Sequence, residues 1–427
     1  MPANTVPTNA NILNALRSTM SLTYQDRIPE AVQNNIDDVY QSIMKFQPGR
    51  NELVSALVKQ IGLITIDSLF FNNPLTRLKK DPMRFGNTHE EIFVNMIQGT
   101  QFDNRAGIEK AFAIYESNIM AAYHRVNFDM QYPVTVSYRN LQDAFTSEYG
   151  IRDLITAKVQ QCFSSANYDE YLAMRQLAES GYAKGYLYPV KVPAIVDETT
   201  SKTFLASVKE YVGNIAFPNP LYNLAGATSF SSPNTLVFIT TPKVNAQLGV
   251  QALAYMFNDD RAALNVETII IDKFTDPKIQ GILCDIRFFN VREQFREFTD
   301  NYNGASLNWN YFYTVVEMIS ASPFYPCVVF TTEDISVTTI TGTDIADYVA
   351  GSEYTLQYEV AGTTGKYVPT EVDFKLTGNT DDKTMIVPGT KTLIIGANET
   401  GTMTIAVTSR YDTDVAGEIK VTPPAGA

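Results

Sequence analysis

Residues 72–93 read NNPLTRLKKDPMRFGNTHEEIF, and this stretch decides how the chain is interpreted. Four basic side chains come first and an acidic pair follows, with apolar side chains between them and a turn signal at Gly86 and Asn87. The pattern predicts a two-stranded arm with one basic and one acidic flank. Because an isolated hairpin is marginal in water, the arm should lie on a surface, either of its own domain or of a neighbouring subunit. The side chains expected to contact a neighbouring subunit are Leu75, Arg77, Leu78, Lys79, Lys80, Arg84, Phe85, Glu90 and Glu91.

The composition is that of a folded protein with more than one core. The 427 residues are 45% hydrophobic and 19% charged. The chain has 46 acidic and 33 basic side chains, which gives a formal charge of -13. Such a charge is unfavourable for a protein whose main function is to bind phosphate backbones. Apolar runs are too short for a membrane span, and the first 20 residues lack a signal-peptide pattern. We therefore expect a protein of a soluble compartment.

Patterns for catalysis and metal binding are scarce. Histidine, the commonest general base, occurs only twice. His89 and Glu90 begin like a zinc-protease helix, but Phe93 stands where the second histidine is needed. We therefore expect no enzyme, no catalytic residue, no metal and no cofactor. Three widely spaced cysteines, expected to be reduced and buried, are Cys162, Cys284 and Cys327.

Two further signals have both a functional and a structural interpretation. Carboxylates at residues 381–382 and 412–414 offer calcium ligands, although acidic turns are more often simply solvated. The block LNWNYFY at residues 307–313 contains the single Trp309 and has the aromatic surface to stack a sugar or a base. The apolar residues that follow it favour a packed core strand instead.

The composition changes sharply near residue 331. Residues 331–427 contain 21 Thr and only one Phe and carry a net charge of -8, against -5 for residues 1–330. Apolar side chains alternate at positions 354–360, 372–376 and 403–407, which predicts half-buried strands. Six or seven short strands in under 100 residues have the size and rhythm of an immunoglobulin-like sandwich. Residues 1–330 and 331–427 are therefore expected to be two domains of different construction.

Helical and strand periodicities alternate in residues 1–330. A helical tract runs from about 149 to 184, with a break in its apolar pattern at residues 164–167. Later, residues 234–239, 244–258 and 266–273 predict a strand, a helix and a second strand. The predicted class of this body is α+β.

Several blocks of the sequence resemble one family, the major capsid proteins of small protein-primed podophages of the picovirus type. The aromatic block 307–313, an apolar strand ending at Phe330 and a β-rich C-terminal module follow in the family's order. The blocks near the arm that carry the resemblance are Leu53-Val54, Ile61-Gly62-Leu63, Asn72-Asn-Pro-Leu75, Lys79-Lys80, Gly86, Thr88 and Glu90-Glu91-Ile92-Phe93.

The resemblance implies a Hong Kong 97-like capsid body over residues 1–330, followed by an all-β Ig-like domain over residues 331–427. Within the body it implies an extended arm at about 70–129, a spine helix at about 149–184 and an axial domain at about 205–305. The implied function is a structural subunit that self-assembles into the icosahedral or prolate head shell around the double-stranded DNA of a tailed bacteriophage.

The implied partners are other copies of the chain, together with scaffolding and portal proteins. The shell would enclose DNA without sequence-specific binding and would not involve a membrane. Assembly is expected in the cytoplasm of the bacterial host, and the product is expected in the virion.

Two other functions remain open at this point. One is a secreted or surface binding protein with an Ig-like module, against which the missing signal peptide counts. The other is a non-viral nanocompartment shell of the same fold, which would carry a cargo enzyme in place of DNA.

Overall fold

In a computed structural model of the chain, helices and sheets are mixed up to Thr331, and the described residues after it form strands. We call the first part the body and the second part the C-terminal domain. The structure describes residues 9–32, 34–46, 48–53, 56, 71–83, 86, 88–97, 99, 118–137, 139–140, 150–248 and 266–424.

Short helices at the N-terminus cover one end of a long antiparallel sheet. Their apolar faces pack on Trp309 and Tyr311, both of which are fully buried. The indole Nε1 of Trp309 donates a hydrogen bond to Asn51 Oδ1 at 3.2 Å. The prediction that Trp309 belongs to a packed core strand is therefore confirmed. These helices are α1 (Asn9–Arg17), α2 (Leu22–Arg27) and α3 (Ile36–Lys45).

The arm and the long sheet come from separated parts of the chain. The arm strands β1 (Thr88–Val94) and β2 (Ile119–Arg125) pair antiparallel. The long sheet has the order β3-β9-β8. Pro133 lies in β3, where its missing N–H is tolerated because β3 is an edge strand. The strands of the long sheet are β3 (Phe128–Ser137), β8 (Phe289–Asn303) and β9 (Asn308–Ala321).

A single helix, α4 (Gly150–Ala183), runs along the body. It continues without interruption through residues 164–167, where the apolar pattern predicted a break. One face of α4 is buried, and its buried side chains recur at every fourth residue. They are Cys162, Ala166, Glu170, Met174, Ala178 and Tyr182. None of the described helices combines the length and the hydrophobicity needed to cross a membrane.

A five-stranded mixed sheet forms the centre of the body. Its order is β4-β10-β7-β5-β6, and β5 and β6, the two strands of the predicted strand-helix-strand unit, pair in parallel. The connection between them begins with a helix at residues 242–248. Every residue of β5 and β10 is buried, which explains their unbroken apolar runs. The elements of this layer are β4 (Tyr188–Lys191), α5 (Glu198–Ile215), β5 (Leu236–Thr240), β6 (Glu267–Ile270), β7 (Ile279–Asp285) and β10 (Cys327–Thr331).

The described residues after Thr331 form strands and no helix. They make three small sheets with orders β11-β13, β12-β16-β15 and β14-β17-β18 around one apolar core. Burial alternates along β17 as predicted, whereas the predicted strand at 354–360 is divided at Leu356. Its first half pairs with one sheet and its second half with another. The strands are β11 (Thr339–Gly342), β12 (Glu353–Thr355), β13 (Tyr358–Ala361), β14 (Val372–Thr377), β15 (Met385–Ile386), β16 (Thr392–Ile394), β17 (Met403–Ser409) and β18 (Ala416–Val421).

The C-terminal domain is fastened to the body at two places. At the end of α4, Tyr367 stacks on Tyr182 with ring centroids 4.2 Å apart, and its hydroxyl donates to the Tyr182 carbonyl at 2.6 Å. At the other place, Arg410 donates to the carbonyl oxygens of Asn223 and Leu224 at 3.1 and 2.9 Å. Two separated anchors of this kind fix both the position and the rotation of the domain on its own subunit.

Candidate functional site

Within the predicted arm at about 70–129, β1 and β2 form an antiparallel hairpin. Its register pairs Thr88 with Arg125 and Val94 with Ile119. Because side chains alternate across a strand, one set of residues faces outward and the other faces the body. The hairpin therefore has an outer face and an inner face with different chemistry.

The outer face is exposed to solvent, polar at the end where Thr88 pairs with Arg125 and apolar at the end where Val94 pairs with Ile119. Ile92, Val94 and Ile119 are 61%, 58% and 55% exposed, and Tyr123 is 67% exposed. Glu90 lies on the same face and accepts a hydrogen bond from the Tyr123 hydroxyl at 3.1 Å. Large apolar side chains that share one exposed face are typical of an interaction surface.

The inner face packs against the body. Phe93 stacks on Phe324 with centroids 5.4 Å apart. Met120, on the partner strand, is buried in the same small cluster, whose other members Ala225 and Ala227 leave room for it. The hairpin is thus seated on its own subunit by one side only.

The segment that leads into the arm does not pair with β1. The predicted hairpin with its turn at Gly86 and Asn87 is wrong, because the partner of β1 is β2. Residues 71–83 instead form a 3-10 turn at Thr76–Leu78 and then follow β8. The backbone N–H groups of Lys80 and Met83 donate to the carbonyls of β8 residues 291 and 293 at 2.8 and 2.7 Å. Pro74 and Pro82 have no N–H, so the segment could not supply a full ladder to a strand partner.

The residues predicted to contact a neighbouring subunit differ in their exposure, and some of them are buried within their own subunit. Leu75 and Leu78 lie in the core that contains α4 and the central sheet. Arg77 is largely exposed and forms an ion pair with Glu267. Lys80 donates its Nζ to the Arg287 carbonyl at 3.2 Å. Arg84 and Phe85 lie outside the described residues.

Lys79 sits in a buried network of charges. Its Nζ lies 3.0 Å from a Glu170 carboxylate oxygen and 2.9 Å from one of Glu317. Arg296 forms ion pairs with the same two carboxylates and with Glu293. Burial opposes the charge of Arg296, but these carboxylates outweigh it and raise the pKa of the guanidinium well above its usual range. The network joins the base of the arm, α4, β8 and β9.

Sequence analysis missed the partners of Lys79. Glu170 and Glu317 are 91 and 238 residues away along the chain. One signal was available, since Glu317 stands in the otherwise apolar run Val315-Val-Glu-Met-Ile319. A carboxylate in the middle of a buried strand needs a cation nearby.

Glu91, the second acidic residue of the arm, faces the body. Its Oε2 lies 3.1 Å from Nε2 of His124 on the opposite strand. Burial alone would raise the pKa of Glu91, but hydrogen bonds from His124 and Ser322 and the nearby Lys80 lower it below the usual range. Glu91 is therefore ionised and lies between the hairpin and the body, whereas Glu90 belongs to the outer face of the hairpin.

Asp381, one of the candidate calcium ligands, takes part in a local hydrogen-bond network. Asp381 accepts backbone N–H groups from Lys383 and Asn398, at 3.0 Å each, so its oxygens are already engaged by donors. Within the described residues, no three His, Cys, Asp or Glu side chains are placed to hold a metal ion. The three cysteines are free and buried, as the sequence predicted.

Comparison with known proteins identifies the family. The family model described as Phi29-like phage major capsid protein matches residues 13–331, three quarters of the chain. The chain belongs to this family. The major capsid protein of Bacillus phage B103 is 28% identical over 93% of this chain and 89% of its own length. That of Bacillus phage PZA is 27% identical over 95% of this chain and 90% of its own length.

The fold comparison agrees with the family. A chain from the capsid structure of Staphylococcus phage Andhra matches 63% of this capsid protein and 87% of its own length, with a TM-score of 0.52 and 11% identity. This likeness confirms the phage-capsid fold predicted for the body. The protein is a major capsid protein of a tailed phage, and its place is the capsid of the virion. The two other functions that the sequence left open are set aside by this finding.

Proposed function

We propose that the capsid subunits contact one another through the outer face of the β1–β2 hairpin. The supporting observation is the row Ile92, Val94, Ile119 and Tyr123, which is exposed although the opposite side of the same two strands is packed. A closed shell repeats one contact many times, so a patch of this size is sufficient when many copies act together. Glu90 on this face, with Arg77 and Lys80 beside the arm, would select the partner surface by charge.

The shell encloses double-stranded DNA without gripping it. The net charge of -13 supports this part of the proposal, because an acidic chain does not condense onto phosphate backbones. Repetition of one subunit cannot by itself define the size of a shell or a single opening for the genome. Scaffolding and portal proteins are therefore the proposed further partners, and the head is icosahedral or prolate.

The body is proposed to be divided as the family resemblance implied. The arm comprises about residues 70–129, the spine helix is α4, and the axial domain comprises about residues 205–305. The strands after Thr331 are proposed to be an Ig-like sandwich that decorates the outside, because three small sheets enclose one core there. The role of the subunit is structural and not catalytic.

The test is a double substitution on the outer face, Ile92→Ser with Val94→Ser, in the full-length chain. Both side chains are exposed, so we expect unchanged circular dichroism and an unchanged melting temperature. Shells or shell fragments, scored by sedimentation and negative-stain electron microscopy, should be lost. Val349→Ser is the matched control, since Val349 is 60% exposed on the C-terminal domain and should assemble normally. Normal particles from the double variant would contradict the proposal.

A further inference from the structure

The only two histidines of the chain lie opposite each other in the arm. His89 on β1 and His124 on β2 are register partners, and their ring centroids are 6.4 Å apart with an angle of 28° between the planes. Both are on the inner face, which is seated on the body. No sequence pattern predicted this pairing, because the two positions are separated by 34 intervening residues whose pairing is set by the fold.

His124 connects the hairpin to the body. Its Nδ1 lies 2.9 Å from Ser320 Oγ on β9, and its Nε2 lies 3.1 Å from Glu91 Oε2. A ring protonated on Nε2 donates to Glu91 and accepts from Ser320. A second proton on Nδ1 is also tolerated, because Ser320 can then donate to the Asn290 carbonyl at 3.1 Å. His124 thus holds the hairpin in either charge state.

His89 has less favourable surroundings. It is half-buried and makes its ring contact with His124, while positive side chains lie on the elements around it. Glu91 is the carboxylate that favours the charged form of His89, but its Oε2 atom already contacts Nε2 of His124. The charged and titratable groups that face His89 and Glu91 are His124 from β2, Lys80 from the segment before β1, Arg292 from β8 and Tyr325 from the segment before β10. Lys80 in turn faces Arg292, Asp285 and Arg287.

We propose that His89 is an acid-sensitive latch: the hairpin stays seated on the body while this ring is uncharged at neutral pH, and its inner face is released when the ring gains a proton. A charged His89 adds a cation beside Arg292 and Lys80, while Glu91, the carboxylate that favours this charge, already contacts His124. Like charges at this spacing repel most strongly where water is excluded. The repulsion is relieved when β1 and β2 move away from β8 and β9.

The sign of the pH effect follows from His89. Burial, and then Arg292 and His124, lower the pKa of His89 below its usual value of 6.5. The seated arm therefore binds this proton more weakly than the released arm does, so acidification favours release. Seating is fully retained above pH 6.5 and weakens as the pH falls through and below that value. Release of the hairpin does not depend on the proposed function. Its expected consequence does, because a released hairpin would present its outer face to a neighbouring subunit at a changed angle.

The experiment is hydrogen exchange by mass spectrometry on the full-length chain at pH 7 and pH 5. Exchange is expressed as protection relative to the intrinsic rate at each pH. Peptides that cover β1 and β2 should lose protection at pH 5 relative to pH 7, because the seated hairpin binds the His89 proton more weakly than the released one. Peptides of the central sheet should not change. In His89→Gln, which keeps a polar side chain but does not titrate, the loss in β1 and β2 should disappear.

Glu297→Gln is the matched control, because it removes an exposed carboxylate from β8, outside the proposed contact, and should keep the wild-type response. Unchanged protection in wild type, or the same loss in His89→Gln, would overturn the latch. Sedimentation is recorded at both pH values. If the loss of protection accompanies a change in assembly and persists in His89→Gln, it comes from altered contacts between subunits. That outcome counts against the latch and does not test the proposed interface.

Discussion

Replacing Lys79 by Met tests whether the buried charge network holds the arm to the body. The change leaves Glu170 and Glu317, which are 3% and 0% exposed, with one cation where they now have two. Removing one partner from a buried ion pair costs about 3–5 kcal/mol. Arg296 remains in contact with both carboxylates, so we expect the lower limit, about 3 kcal/mol. An unfolding entropy of about 2.1 cal/mol/K per residue amounts to about 0.7 kcal/mol/K for a body of roughly 330 residues, so the melting temperature should fall by roughly 4 °C.

The assay is thermal and urea unfolding of the full-length chain, followed by the fluorescence of Trp309. This single tryptophan lies on β9, the strand that carries Glu317, so it reports the affected region. Arg77→Met is the control, because Arg77 forms its ion pair at the surface and should cost under about 1 kcal/mol. Adding Glu317→Met to Lys79→Met should restore part of the loss, since it removes a carboxylate that has lost a partner. Equal costs for Lys79→Met and Arg77→Met would refute the reasoning.

Two further outcomes are expected for the C-terminal domain. Hydrogen bonds from Thr380 and Thr384 outweigh burial and lower the pKa of Glu399 from 4.5 to about 2. The carboxylate of Glu399 therefore stabilises the folded domain above pH 4.5, and this contribution is lost as the pH falls toward 2. Glu399→Gln should remove this part of the pH dependence in melting curves recorded between about pH 5 and pH 2, and an unchanged pH dependence would contradict the prediction. Tyr367→Ala removes a stacked pair worth about 0.5–1.5 kcal/mol and should speed proteolysis between the body and the domain by up to roughly tenfold, whereas an exposed change such as Val349→Ser should not.

Local pattern was sufficient where neighbouring residues decide the structure. Alternation at Met403, Ile405 and Val407 predicted β17, and helical spacing predicted α4, because each periodicity shows which side of one element is buried. The same is true of Trp309, whose apolar continuation placed it in a core strand.

The arm was only partly predictable, because its partners come from distant parts of the chain. The acidic residues Glu90 and Glu91 were placed on one flank, yet alternation along β1 turns the first outward and the second inward. Lys79 and Lys80 are adjacent in sequence, and only Lys79 reaches the carboxylates of α4 and β9. Charge reversal at Lys79 would therefore disturb the fold of the subunit, whereas reversal at Arg77 or Lys80 would test assembly.

The order of the central sheet has a consequence for how the chain folds during synthesis. β10, the last strand of the body along the chain, lies between β4 and β7, and β4 is finished nearly 140 residues earlier. Until residue 331 has left the ribosome, both of these strands have an unpaired edge, and pairing over such a sequence distance is slow. Open edges invite pairing with other chains. A newly made subunit is therefore most vulnerable to aggregation just before β10 inserts, and fragments that end before Cys327 should precipitate even though they contain most of the body.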